Sequence, residues 1–121
     1  MPTAGDRCDH ITESIDAIFA YVNGSSEHAF LADGGLQAAC YYRFIVIGEA
    51  ADRLCKSCPN EIAQLGGRRP SLPAGLSCAH KLRTLLAHIY HQVDAAIVWA
   101  TIRKDLPQLR ADVIALRALL P

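Results

Sequence analysis

Apolar residues recur at steps of three and four along most of this chain. From about Asp6 to Asn23, Ile11, Ile15, Ile18, Phe19 and Val22 make one stripe of a predicted helix, and Asn23-Gly24 supplies its stop. Ser25 or Ser26 can cap a short turn through Leu31, with Glu27 in its first turn, before Asp33-Gly34-Gly35 breaks the chain. A second long helix is predicted from about Leu36 to Cys58, with Leu36, Cys40, Phe44, Ile47, Ala51 and Leu54 on one face and Tyr41, Ile45 and Gly48 widening it. A glycine inside a helix costs about 1 kcal/mol relative to alanine, so Gly48 predicts a close contact with a neighbouring helix. Pro59 and Asn60 open a short turn from Glu61 to Leu65, and the proline- and glycine-rich stretch from Arg68 to Gly75 reads as a loop.

A third long helix is predicted to begin near Leu76 and a fourth near Asp94, a natural cap after Val93. Ile97, Val98, Trp99 and Ile102 then face inward or toward a partner. Asp105-Leu106-Pro107 predicts a restart, after which Leu106, Leu109, Val113, Leu116 and Leu120 form a seam. No segment alternates as a strand would. The predicted architecture is all-α: an antiparallel up-and-down bundle of four to five helices, in one domain over residues 1–121.

Composition narrows the function classes. No apolar run approaches the roughly 20 residues that span a bilayer, and the N-terminal residues lack the basic and apolar regions of a secretory signal, so the expected location is the cytoplasm, away from membranes. Twelve basic residues balance 12 acidic ones, so any nucleic-acid affinity must come from a local patch. Five cysteines without an export signal argue for reduced thiols. Cys55-Lys56-Ser57-Cys58 has zinc-knuckle spacing, and Cys78 with His80 could in principle complete a site. Structural zinc normally uses two cleanly spaced ligand pairs, so no metal and no cofactor is expected.

The chemistry concentrates between residues 83 and 90. Arg83 offers a planar fork for a phosphate, His88 an imidazole of the type that moves protons near neutral pH, and Tyr90 a hydroxyl that can be bonded or modified. At about 100° per residue, Arg83 and Tyr90 point the same way, but His88 lies about 140° from Arg83. Either the helix loosens near His88 or the site combines helices from two chains.

Arg83-x4-His88-x-Tyr90, followed by Val93-Asp94, Val98-Trp99 and Asp105-Leu106-Pro107, closely resembles the C-terminal half of HepT-like toxins, a branch of the HEPN superfamily. Ile47-Gly48-Glu49-Ala50-Ala51 is similar to that family's second-helix signature, and Phe30-Leu31-Ala32-Asp33 sits at its first turn between helices. The resemblance implies a homodimer whose motifs face one another. It also implies a metal-independent endoribonuclease acting on tRNA or mRNA, with Arg83 and His88 catalytic. Tyr90 would accept AMP from an MNT-type nucleotidyltransferase antitoxin. Glu49 would orient a polar group near the cleft, and Lys81, Arg68 and Arg69 could contact RNA. Thr84 stands where relatives carry asparagine, Ala74 follows Pro73 where they carry tryptophan, and His91-Gln92 follows Tyr90 where they carry an aromatic and a small residue. The rival expectation is a non-catalytic dimeric HEPN module that binds nucleotide or a nucleotidyltransferase partner.

Overall fold

A capping box starts the first helix. The Thr3 hydroxyl accepts from the Asp6 N–H at 3.0 Å, and the Asp6 carboxylate accepts from the Thr3 N–H at 2.9 Å, so two amides that the helix itself leaves unpaired are satisfied. The computed structural model describes residues 1–121, with the side chain of Tyr90 outside the described residues. Among the described residues the elements are α1 (Ala4–Val22), α2 (Glu27–Leu31), α3 (Gly34–Ser57), α4 (Pro59–Gly66), α5 (Ser71–Ile89), a 3-10 turn (Tyr90–Gln92) and α6 (Ala95–Arg117).

Ser26 and Asp94 cap α2 and α6 as their sequence positions predict. Three boundaries differ from the sequence reading. Gly34 and Gly35, expected as a break, open α3, because the Asp33 carboxylate accepts from the Leu36 N–H at 3.0 Å and caps the helix there. The loop expected up to Gly75 is shorter. Helix α5 begins at Ser71, with Pro73 in the first turn, where its missing N–H is not needed. The expected restart at Asp105 is absent: α6 runs through Pro107 without interruption. A proline inside a helix costs about 3 kcal/mol. Leu106 and Leu109 flank it and are both buried, and each contributes about 1.5–3 kcal/mol, enough to hold the helix together.

The four long helices pack in a ring, α1 on α3, α3 on α5, α5 on α6 and α6 on α1. Successive neighbours run antiparallel. Arg110 pairs with Asp16 and Arg117 with Asp9 across α1 and α6, and Gly48 meets Arg83 while Asp52 faces His80 across α3 and α5. The predicted stripes fill the centre: Ile11, Ile15 and Ile18 from α1, Cys40, Ile47 and Leu54 from α3, Leu76 from α5, and Val113 and Leu116 from α6 are fully buried. Trp99 lies against Phe30 with ring centroids 5.3 Å apart, so α2 is fastened onto α6. Ile97, by contrast, is 64% exposed, the one side chain of its group turned away from the core.

Asp112 is a charged residue at a fully buried position on the α6 seam. It accepts from Ser71 Oγ at 2.6 Å, Arg69 Nη1 at 3.1 Å and Gln108 Nε2 at 3.0 Å. A buried carboxylate needs such partners to offset its desolvation. Here they tie the start of α5 to α6.

Candidate active site

Gly48 decides where the site can be. A Cβ built there would stand 2.6 Å from the Ala79 carbonyl oxygen and would overlap Arg83 Cβ, distances that no methyl group tolerates. The missing side chain therefore lets α5 approach α3 at the turn that carries Arg83, as the glycine's place in the predicted helix suggests.

That approach brings Arg83 beside Glu49. Arg83 Nη2 donates to Glu49 Oε2 at 3.3 Å, and Arg53 lies 3.9 Å from the other carboxylate oxygen. Arg83 Nε is buried with no hydrogen-bond partner among the described residues. Glu49 thus engages one corner of the guanidinium and leaves most of its donors unspent, while 32% of the side chain stays open to solvent. A second rung lies one turn away. Asp52 accepts from Lys56 Nζ at 3.0 Å, and His80 Nδ1, itself buried without a hydrogen bond among the described residues, lies 3.8 Å from the same carboxylate. The Lys56 hydrogen bond holds the Asp52 carboxyl below the usual range. His80, read in the sequence only as a possible zinc ligand, and Asp52 belong to this ionic edge of α3 and α5. The signal that could have found them is the shared spacing of three residues, Glu49 to Asp52 and His80 to Arg83.

His88 is exposed near the end of α5, about 7–8 Å along the axis from Arg83. Helix α5 stays regular through Ile89 and tightens only at Tyr90–Gln92, so no loosening brings His88 round to the Arg83 side. Tyr90 begins the 3-10 turn, and its side chain lies outside the described residues. The Thr84 hydroxyl donates to the His80 carbonyl at 3.1 Å, which turns it back on its own helix.

The remaining basic candidates are scattered. Lys81 lines a groove of about 510 Å³ between α5 and α6, with Leu82, Leu85, Ile97 and Thr101, about 160° around α5 from Arg83. Arg68 and Arg69 lie before the start of α5, some 20 Å along the axis from Arg83, beside a hollow of about 690 Å³ that also includes Ser71 and Gln108. Arg69 is also held by Asp112, a structural duty the sequence did not announce.

All five cysteines are free. Burial pushes the Cys8 thiol up to about 12 and the Cys40 thiol up to about 11, so both stay protonated. Cys58 is buried, donates to the Leu54 carbonyl at 3.3 Å and is pushed up by burial as well. Cys78 lines the α5/α6 groove instead, and among the described residues no three His, Cys, Asp or Glu side chains are placed to hold a metal ion. Nor, among them, is any helix long and apolar enough to cross a membrane.

Comparison with known proteins places the chain in a family described as Ribonuclease HepT-like, whose profile matches residues 11–116. A Thermococcus cleftensis protein named "Probable ribonuclease HepT" is 30% identical over 93% of this chain and 94% of its own length. One from Caldanaerobacter subterraneus, "Putative RNase TTE0752", is 30% identical over 93% of both chains. A longer Methanocaldococcus jannaschii protein, "Gamma-glutamylcyclotransferase and putative RNase MJ0434", is 29% identical over 88% of this chain, which spans 44% of it. No solved structure matches the chain significantly.

Proposed function

Since the chain belongs to the HepT-like ribonuclease family of the HEPN superfamily, we propose that it is a metal-independent endoribonuclease whose catalytic groups are Arg83 and His88. The observation that carries this reading is the state of Arg83, steered by Glu49 at one corner with its other donors unspent, on the same helix as an exposed imidazole. Glu49 is the positioning residue. His88 takes the proton of an RNA 2′-hydroxyl, whose oxygen attacks phosphorus. The bond to the 5′-oxygen breaks, and that oxygen leaves with a proton from solvent. Arg83 stabilises the extra negative charge that builds on the phosphoryl oxygens during the attack.

A homodimer resolves the angular conflict between the two groups. Thr84 and Ala87 are both exposed on α5, about 100° and 40° round from Arg83, between it and the ridge that carries His88. Covering that face with a second copy would bring two α5 helices together across a twofold axis, so that Arg83 of one chain meets His88 of the other. Lys81 on that ridge would add positive charge to the shared cleft, and Arg68 and Arg69 could hold more distant phosphates. The substrate class is tRNA or mRNA, encountered in the cytoplasm.

The reaction class has a direct test. Incubated with chelator, the protein should cut RNA to ends bearing 2′,3′-cyclic phosphate and leave an all-deoxy strand of the same sequence intact, because DNA has no attacking hydroxyl. Equal cleavage of both strands would reject the mechanism.

In this reading the protein is the toxin of a toxin-antitoxin pair, and its antitoxin is an MNT-type nucleotidyltransferase that transfers AMP to Tyr90. Tyr90 follows α5 directly, so a phosphate on its hydroxyl would compete with RNA for Arg83. Coexpression with such a partner should raise the mass of the peptide containing Tyr90 by one adenylyl group or more. A peptide of unchanged mass would remove covalent control from the account.

A further inference from the structure

Tyr42 is a large aromatic side chain with 61% of its surface in solvent, and nothing in the bundle requires it. Its neighbour Tyr41 does the packing on that turn: it is buried, and burial, with smaller contributions from Cys40 and Asp94, pushes its hydroxyl up. The nearness of Asp94 also puts this end of α3 beside the turn that follows His88 and Ile89.

Tyr42 precedes Glu49 by two helical turns, about 10 Å along α3, and points within about 20° of the same direction. It therefore stands on the edge of α3 that carries Glu49, beside the α5 residues of the proposed site. Arg43 supports the ring. Its guanidinium carbon lies 5.6 Å from the Tyr42 centroid, and its Nε donates to Tyr21 Oη at 3.3 Å. The cation, itself held by the second phenol, braces one side of an aromatic plate whose remaining surface is open.

We propose that Tyr42 is a base-stacking residue that receives a nucleobase of the single-stranded RNA whose phosphate lies on Arg83. This rests on the ribonuclease reading above and deepens it. A chain with balanced charge cannot hold RNA by its overall field. A stacking plate supplies affinity with little dependence on sequence, because every base has a π-face, and Arg43 adds a positive charge beside it. Stacking also fixes the strand's register, so Tyr42 governs which phosphate reaches Arg83.

Binding of labelled single-stranded RNA carrying all four bases, measured by fluorescence anisotropy in a His88→Ala background, tests this against the same sugar-phosphate backbone without bases. Tyr42→Ala should weaken binding of the complete RNA about tenfold; Tyr42→Phe should bind it as the tyrosine does, and the baseless strand should bind all three proteins alike. Equal binding of complete RNA by Tyr42→Ala and the parent overturns the proposal, as does an equal loss for the baseless strand. The first result would leave Tyr42 to a protein partner, and the second would assign it to the phosphate path. Failure of the ribonuclease reading looks different: the protein with His88 and Tyr42 intact then cuts no RNA. If the parent binds no RNA at all, both readings fall. Because Tyr42 is exposed, its variants should keep the parent's melting temperature.

Discussion

Replacing His88 with alanine should lower RNA cleavage by about 100- to 10,000-fold, the usual contribution of a positioned acid or base. The melting temperature should barely change, because His88 is exposed and surface substitutions cost within about 0.5 kcal/mol. Arg83→Ala should lose activity comparably. Combining the two variants then tests the composite cleft. Arg83 faces α3 and pairs with Glu49, while His88 lies about 140° away on a helix that stays regular between them. If the site takes one residue from each chain, a protomer lacking Arg83 and a protomer lacking His88 form a mixed dimer with one intact site. Random re-pairing makes half the dimers mixed, each with half its sites restored, so an equal mixture should recover about a quarter of the activity. Should the mixture stay as inactive as its parts, both residues serve from the same chain and the dimer cleft is wrong. Unchanged cleavage by His88→Ala alone would take His88 out of the mechanism, and RNA binding without any cleavage by the parent would favour the rival module.

Gly48→Ala should be damaging in a different way. In an ordinary helix the change would stabilise by about 1 kcal/mol. Here the new methyl overlaps Arg83 Cβ and presses on the Ala79 carbonyl, a backbone atom that cannot swing aside. Forcing such an overlap costs about 1–3 kcal/mol, and the near overlap at Arg83 puts this case at the upper end. The net loss of about 2 kcal/mol corresponds to a fall in melting temperature of about 8 °C. Separating α3 from α5 also moves Arg83 away from Glu49, so cleavage should drop at temperatures where the protein remains folded. Gly34→Ala is the control: an added Cβ there meets nothing within 4 Å, and its melting temperature should hold or rise. A Gly48→Ala protein as stable as the parent would mean that the two helices are not in the contact described.

Much of this was legible because it is local. The three-and-four spacing of Ile11, Ile15 and Ile18 specifies a helix face whatever it packs against, and all three are fully buried. Asp94 and Ser26 act as caps through amides two or three residues away. Arg83, His88 and Tyr90 could be singled out by chemical type and spacing alone. Gly48 announced a close approach because a glycine in mid-helix needs a reason.

Boundaries and partners were not legible in the same way, because they depend on energies contributed from elsewhere in the chain. Pro107 looked like a restart, yet the buried Leu106 and Leu109 carry α6 through it. The prolines and glycines after Arg69 looked like a loop, but Ser71 and Arg69 anchor on Asp112, more than 40 residues away in sequence, and the helix starts early. The helical period put Tyr41 on the apolar face of α3, where it is buried, but gave Tyr42 no role; its exposed ring beside Arg43, on the edge that carries Glu49, appears only in the packed helices. The chain alone determined which residues are candidates for chemistry and which faces avoid water, because those follow from side-chain type and helical period. Only the packed helices decided that Arg83 would lean on Glu49, that Arg69 would serve Asp112 and that Lys81 would look the other way, since such pairings arise from distances no single helix contains.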